Sequence, residues 1–317
     1  MENERIIKIL MNPLDKYFAQ KTVMEIIANK PCKIDLEHDG IGWRSYQDPE
    51  LDLDFWESLT RVVANVNKIE FEDISMPKVS ASLPGNHRLE AAIGSSVISG
   101  LTITIRVKRD IKVKLGSFGI SDEIIQTLVE LTNDKKRILL SGSTNSGKTT
   151  FLNTLLDYIE EPEAKRFITV EDAAEIKLPS TNLSVQHLVN RHAGDPTKQY
   201  NSVCDSIVRQ RPDYIILGEI SIHNTLPFLN LVNTGHGVLT TIHANSPKEA
   251  IQKKFPVNMK LAGRGIADAD ELIMDGLDVV IQLKRTNQGS KYVSEIFYPK
   301  TKKSIKFTPP KKKIKAA

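Results

Sequence analysis

Ile138-Leu139-Leu140-Ser141-Gly142-Ser143-Thr144-Asn145-Ser146-Gly147-Lys148-Thr149-Thr150 decides the reading of this chain. A short apolar run enters a Gly-rich loop, and Phe151-Leu152-Asn153-Thr154-Leu155-Leu156 then carries helical periodicity. G-x-x-x-x-G-K-[ST] in that setting is a phosphate loop. Gly142 and Gly147 permit backbone angles closed to other residues, so successive N–H groups can turn toward an anion. The candidate cradle is Gly142, Ser143, Thr144, Asn145, Ser146, Gly147, Lys148, Thr149 and Thr150. Lys148 is placed to reach β- and γ-phosphates, and Thr149 offers its hydroxyl to Mg²⁺. The helix that follows points its positive end at the phosphates. The competing reading, a Gly/Ser loop that binds nothing, leaves the strand and helix on either side unexplained. The stretch predicts binding of a nucleoside triphosphate with Mg²⁺.

Outward from the loop, helix and strand alternate. Ser121 caps a helix over 122–132, with Asp122 and Glu123 suiting its first turn. Strands are expected at 137–141, 167–170, 214–217 and 238–242, with helices at 197–210 and 222–233 between them. Segments 277–283 and 291–297 read as a hairpin at the sheet edge. Such alternation predicts an α/β domain with a mostly parallel sheet and helices on both faces. Ligands then gather at the carboxyl ends of the strands.

Three further clusters fall at those ends. Arg211-Pro212-Asp213-Tyr214-Ile215-Ile216-Leu217-Gly218-Glu219 is an apolar strand ending in a carboxylate. Glu219 is placed to orient or deprotonate the attacking water, and to hold a Mg²⁺-bound water. Phe167-Ile168-Thr169-Val170-Glu171-Asp172-Ala173-Ala174-Glu175 empties a strand into three acids. Carboxylates crowded together make sense beside a divalent cation, though acids are also common in loops. Thr234-Gly235-His236 and His243-Ala244-Asn245 bracket a strand, and His243 leaves it where a γ-phosphate would be.

The amino-terminal region has a different grammar. Residues 14–29 read as a helix with Leu14, Phe18, Ile26 and Ile27 apolar and Pro31 as its stop. A hairpin is expected around Asp39-Gly40, and a second helix over about 53–67 carries Phe55, Leu59, Val62, Val63 and Val66 on one stripe. Strands follow at Val79–Leu83, Arg88–Ile93 and Leu101–Val107. Helices and then strands describe a smaller α+β domain. The expected organisation is an α+β domain over 1–108, a linker over 109–120, a motor domain over 121–299, and a basic, disordered tail over 300–317.

Composition narrows the class. At 317 residues, two domains are the natural expectation. No apolar run approaches the ~18 residues that indicate a membrane span. Met1-Glu2-Asn3-Glu4-Arg5 is mixed in charge with no apolar stretch behind it, so no secretory signal is expected. Cys32 and Cys204 make neither a disulfide framework nor a zinc pattern, and the expected compartment is the cytoplasm. Of the net charge of +4, the eight lysines of 300–317, with no acid among them, account for more than the whole. The rest of the chain sums to −4, which argues against a globally basic nucleic-acid binder.

The phosphate loop, the Glu171-Asp172-x-x-Glu175 box, the Gly218-Glu219 strand end and the Thr234-Gly235-His236…His243-Ala244-Asn245 box, in this order, resemble the secretion ATPase superfamily. Its members are hexameric traffic ATPases of type IV and type II secretion and of type IV pili. Arg209-Gln210-Arg211-Pro212-Asp213 and Leu277-Asp278-Val279-Val280-Ile281-Gln282-Leu283-Lys284-Arg285 look most like the type IV secretion and conjugation branch. Two cysteines cannot build the tetracysteine zinc module usual in the type II branch. The resemblance implies a RecA-like P-loop motor domain beneath the amino-terminal domain, and a homohexameric ring that hydrolyses ATP. It implies catalytic parts for Lys148, Glu219, Glu171, Glu175 and His243. It also implies that two amino-domain arginines, matched by Arg88 and Arg106, reach the γ-phosphate and couple chemistry to domain rotation. The partners it implies are apparatus proteins at the inner face of the inner membrane and a transported protein or DNA. The basic tail reads most simply as a solvated extension, and its rival reading is an attraction to anionic lipid.

Two departures stand out. Ser221 follows Gly218-Glu219-Ile220 where the superfamily normally has arginine, and His236 to His243 spans seven residues, as in pilus and type II relatives. The spacing keeps a pilus or type II motor as a rival reading and Ser221 a nucleotide-gated scaffold with little turnover; a nucleic-acid translocase is a third, since RecA-like rings often pull DNA.

Overall fold

The computed structural model describes residues 2–39, 41–72, 78–109, 112–179, 181–189, 194–286 and 289–310. The chain forms two compact units, Met1–Ile111 and Lys112–Ala317.

The first unit contains α1 (Glu2–Leu10), α2 (Asp15–Phe18), β1 (Val23–Lys30), β2 (Lys33–His38), β3 (Gly42–Gln47), α3 (Leu53–Val66), β4 (Lys78–Leu83), β5 (His87–Ile93) and β6 (Leu101–Arg106). Its six strands run in the order β3-β2-β1-β6-β5-β4, antiparallel throughout. In β6, Leu101, Ile103 and Ile105 are buried while Thr102, Thr104 and Arg106 take the opposite face. The buried face packs with Ile7, Leu14, Trp56, Leu59 and Val63 into one core. Asp52 starts α3 by accepting a hydrogen bond from the Phe55 N–H.

The helix expected over 14–29 is wrong beyond Phe18. Residues 23–30 form β1, bonded on one side to β2 and on the other to β6. Ile26 and Ala28 face the core and Ile27 the other face, so pairing on both flanks overrides the helical spacing of the apolar residues.

The second unit contains α4 (Asp122–Asn133), β7 (Arg137–Gly142), α5 (Lys148–Leu156), β8 (Phe167–Glu171), β9 (Val185–Leu188), α6 (Pro196–Val208), β10 (Tyr214–Leu217), α7 (Thr225–Leu231), β11 (Gly237–Ile242), α8 (Pro247–Glu249), α9 (Phe255–Leu261), α10 (Ala269–Gly276), β12 (Val279–Arg285), β13 (Lys291–Tyr298) and β14 (Lys303–Lys306). The sheet order is β14-β13-β12-β7-β11-β10-β8-β9. Neighbours from β12 to β9 are parallel, and β13 and β14 add antiparallel edges. Alternate residues of β7 serve different cores. Leu139 joins the side covered by α6, α7, α9 and α10, and Ile138 and Leu140 join the side covered by α4 and α5. Burial on both faces is why these strands read as unbroken apolar runs.

Two expected boundaries shift. Part of the 109–120 linker is core, because Leu115, Phe118 and Ile120 are buried with Phe151, Ile281 and Val293. The tail expected to be disordered from residue 300 contributes β14, in which Ile305 pairs with Ile296 and Ser304 donates to the Glu295 carboxylate. An open edge on β13 supplies backbone partners that the lysine-rich composition conceals. Residues 311–317 of that tail lie outside the described residues. Among the described residues, no helix is long and apolar enough to cross a membrane.

Candidate functional site

The loop between β7 and α5 is shaped by its glycines. A Cβ at Gly142 would run into the Ser146 hydroxyl and stand 2.7 Å from the Leu283 carbonyl. Gly147 adopts φ +92° and Asn145 φ +61°, both in the left-handed region. The chain thereby turns tightly into α5, whose first-turn N–H groups have no helical acceptor and suit an anion. Ser143 and Thr144 are exposed at the crest, whereas Ser146 and Lys148 are buried.

Parallel pairing brings the other boxes to the same edge. Thr240 of β11 is level with Leu139 of β7 and Leu217 of β10, and Leu217 is level with Val170 of β8. Residues leaving these strands therefore emerge beside the loop. The Lys148 ammonium donates to the carbonyls of Gly142 and Ser143, each at 3.1 Å, and lies 3.2 Å from His243 Nδ1. An ammonium has no acceptor, so Nδ1 must accept, leaving the proton on Nε2. That nitrogen lies 3.1 Å from Glu219 Oε2. Glu219, His243 and Lys148 thus form one hydrogen-bonded line.

The acidic box divides in two. Glu171 is buried, and its Oε1 accepts from the N–H groups of Glu175 (3.0 Å) and Ile176 (2.9 Å), folding the loop back on itself. Glu175 Oε2 accepts from the Thr149 hydroxyl at 3.2 Å. A hydroxyl and a carboxylate together form a hard-oxygen pair of the kind Mg²⁺ takes alongside phosphate oxygens and water. Among the described residues, no group of three or more His, Cys, Asp or Glu makes a metal cage.

His236, read with His243, is elsewhere. It precedes β11 at the opposite edge of the sheet, where Thr234 Oγ1 lies 2.6 Å from its Nδ1. Burial and the nearby Lys135 lower its pKa. Ser221 is a local brace: its N–H donates to Asn224 Oδ1 at 2.8 Å and its carbonyl accepts from the Thr225 hydroxyl.

The sequence reading missed three positioning residues. Buried Asn224 donates to the Glu219 carbonyl at 2.8 Å. Asn153 donates to the Glu175 carbonyl and accepts from the Lys177 N–H, tying the acidic loop to α5. Gln282, 1% exposed, donates to the Ala244 carbonyl just beyond His243. For Asn153 and Gln282 the signal was a lone amide in an apolar run, Phe151-Leu152-Asn153 and Val280-Ile281-Gln282, whereas Asn224 stands among polar neighbours that give none.

In the first unit, Arg88 of β5 and Arg106 of β6 are directly opposite each other on the face away from the core. Glu25 of β1 opposes Arg106 from the other side. Burial and the neighbouring Glu37 raise the Glu25 pKa, with Arg106 pulling against them.

A phosphate loop feeding a helix at the carboxyl edge of a parallel, two-faced sheet defines a P-loop nucleotide-binding protein of RecA-like build. The sequence profile of the family described as "Type II/IV secretion system protein" matches residues 11–302, and the chain belongs to that family. It is 26% identical over 343 aligned positions to the type IV secretion system protein VirB11 of Bartonella quintana, covering 94% of this chain and 95% of that one. It is 28% identical over 243 positions to the conjugal transfer protein TrbB of Rhizobium radiobacter, covering 74% and 72%. In fold it resembles the crystal structure of the pilus retraction motor PilT with bound ADP, with a TM-score of 0.62, 19% identity, and coverage of 92% and 83%.

Proposed function

We propose that this chain is a Mg²⁺-dependent ATPase that works as a homohexameric ring in type IV secretion, at the cytoplasmic face of the inner membrane. The observation that carries the chemistry is the line from Glu219 through His243 to Lys148 at the mouth of the phosphate loop. The near full-length likeness to VirB11 and the likeness to TrbB support the assignment to secretion and conjugation, with a protein or DNA as cargo.

In this reading the loop N–H groups and Lys148 bind the β- and γ-phosphates of ATP and neutralise charge on the transferring group. Thr149 and Glu175 would hold Mg²⁺, which would supply further positive charge at the phosphate oxygens. Glu219 orients the attacking water and takes up its proton. The His243 Nε2–H holds the Glu219 carboxylate, and its Nδ1 senses where the Lys148 ammonium is. Glu171 acts through the backbone, keeping Glu175 against Thr149.

The seven-residue spacing from His236 to His243 favours a second reading, a pilus or type II motor of the same chemistry. Steady-state ATPase assays with and without single-stranded DNA, beside sedimentation of the ATP-bound protein, test the proposal. Turnover that Lys148→Ala reduces by at least about a hundredfold, in a hexamer indifferent to DNA, is the expected result. DNA-stimulated turnover would point to a translocase, and nucleotide binding without turnover to a gated scaffold.

A further inference from the structure

The hairpin β12–β13 touches the phosphate loop at both of its defining glycines. At Gly142 the contact is the Leu283 carbonyl, as described above. At Gly147 it is a lysine: a Cβ there would stand 2.8 Å from Lys291 Cδ and 3.6 Å from Lys291 Cβ. The side chain of Lys291 therefore extends from the first residue of β13 across the loop at the position just before Lys148. Phe118 flanks the same spot, with Cε1 3.5 Å from that Cβ position. Phe118 is itself held edge-on against Phe151 of α5, ring centroids 4.9 Å apart at 77°.

We propose that Lys291 is a second phosphate-binding cation of this loop, contacting the phosphates of a bound nucleoside di- or triphosphate from the side opposite His243. The proposal rests on the phosphate-loop reading above and adds a residue to it. Lys148 already donates to two loop carbonyls and faces His243. A nucleoside triphosphate brings several negative charges, more than one ammonium and a divalent cation neutralise. Lys291 packs its methylenes on the loop and carries its charge two bonds beyond Cδ, in keeping with its half-buried state. An ammonium offers three rotatable donors to phosphate oxygens, so it needs no fixed fork geometry to serve here. Its register partner, Arg285 of β12, keeps the strand end basic.

The test is equilibrium titration of the full chain with ADP, without Mg²⁺, at low and high salt. Lys291→Met keeps a long apolar stem and removes the charge. It should weaken ADP binding by about tenfold at low salt, the size expected for one charged hydrogen bond. Raising the salt should narrow the gap between variant and wild type, because a partly exposed charge is screened. Lys291→Arg should restore most of the affinity, which a purely structural loss would not do. Should Lys291→Met melt lower than wild type, Lys291→Gln compared at the two salt concentrations decides in the same way. ADP affinity within twofold of wild type in the Met variant, or no recovery in the Arg variant, overturns the proposal. Failure of the wild-type chain to bind ADP at all would instead overturn the phosphate-loop reading.

Discussion

The two edges of the parallel sheet are built from the same kinds of side chain and use them differently. At the amino-terminal edge, Lys135 pairs with Asp213, and Asp213 also accepts from the Arg166 N–H. Arg137 grips Asp278 through its backbone N–H, Nε and one terminal nitrogen, with Lys300 on the same carboxylate. Burial pushes the Asp278 carboxyl up, but the hydrogen bonds from Arg137 and Lys300 outweigh it and hold it well below the usual carboxylate range. At the carboxyl-terminal edge, Glu219 and His243 are each 39% exposed, and Lys148 is aimed at backbone carbonyls and a neutral imidazole. Charge at the first edge is matched by opposite charge and locks strands together. Charge at the second is grouped around a loop whose N–H donors suit a polyanion. The comparison predicts that substitutions at one edge change turnover, and at the other, stability.

Glu219→Gln should give the largest separation of the two. It keeps the shape of the side chain and removes its basicity, so ATP should still bind while turnover falls by about a hundredfold or more. The melting temperature should move little, since the group is partly exposed. Binding measured by titration and turnover by phosphate release check both halves. Undiminished hydrolysis would break the comparison at this residue and make Glu175 the better candidate for the base.

Legibility in the sequence follows the same division. The grouping at the carboxyl edge was readable because the proposed chemistry needs particular residues at fixed offsets from strands, and Gly142, Gly147, Lys148, Glu219 and His243 all sit at such offsets. His236 shows the limit. It shares a box with His243, yet β11 carries the two to opposite edges, and only the direction of the strand separates them. The apolar runs of β7, β8, β10 and β11 gave their positions nearly residue for residue, because both faces are buried. β1 failed because its partners β2 and β6 come from distant sequence, with Ile26 level with both Leu36 and Ile105. β9 and β14 were likewise hidden, being four-residue edge strands: β14 is exposed throughout, and in β9 the apolar Val185 and Leu188 are three apart, out of step with a strand's alternation. Asn153, Asn224 and Gln282 act on backbone groups, so nothing in their local sequence fixes their partners.

Asp278→Asn tests the opposite edge. Arg137 would keep a partly buried charge without its carboxylate, a loss of about 2–3 kcal/mol. In a unit of this size that lowers the melting temperature by about 5–10 °C. ATP turnover at a permissive temperature should be unchanged. The pH dependence has a definite sign. The folded-state pKa is depressed below the unfolded value of about 3.9, so the stabilisation is complete above that value and lost as pH falls from it toward the folded pKa. Wild type and variant should therefore differ most near neutrality and converge in acid. A gap that stays constant down to pH 3, measured by thermal melts, would place the stabilisation in packing rather than charge.

The smallest expected effect concerns the chain's end, which the structure divides. Residues 303–306 are an edge strand, and Lys300 Nζ is 2.7 Å from Asp278, so deleting 300–317 removes part of the structural edge. Deleting 311–317 removes four lysines and no described element. If those lysines draw the protein to anionic lipid, each contributes roughly 1 kcal/mol near the headgroups, and the attraction fades as salt rises. The 311–317 deletion should thus melt with wild type and hydrolyse ATP normally. It should sediment with phosphatidylserine vesicles at low salt at least about tenfold less well. The 300–317 deletion should show the same vesicle defect together with a lower melting temperature. Equal vesicle binding by wild type and both deletions, or binding indifferent to salt, would leave membrane proximity to partner proteins. A vesicle defect seen only with the longer deletion would assign lipid contact to Lys300, Lys302, Lys303 and Lys306. The edge strand itself would then be the basic surface, so that structure and charge coincide at this edge as they do at Asp278.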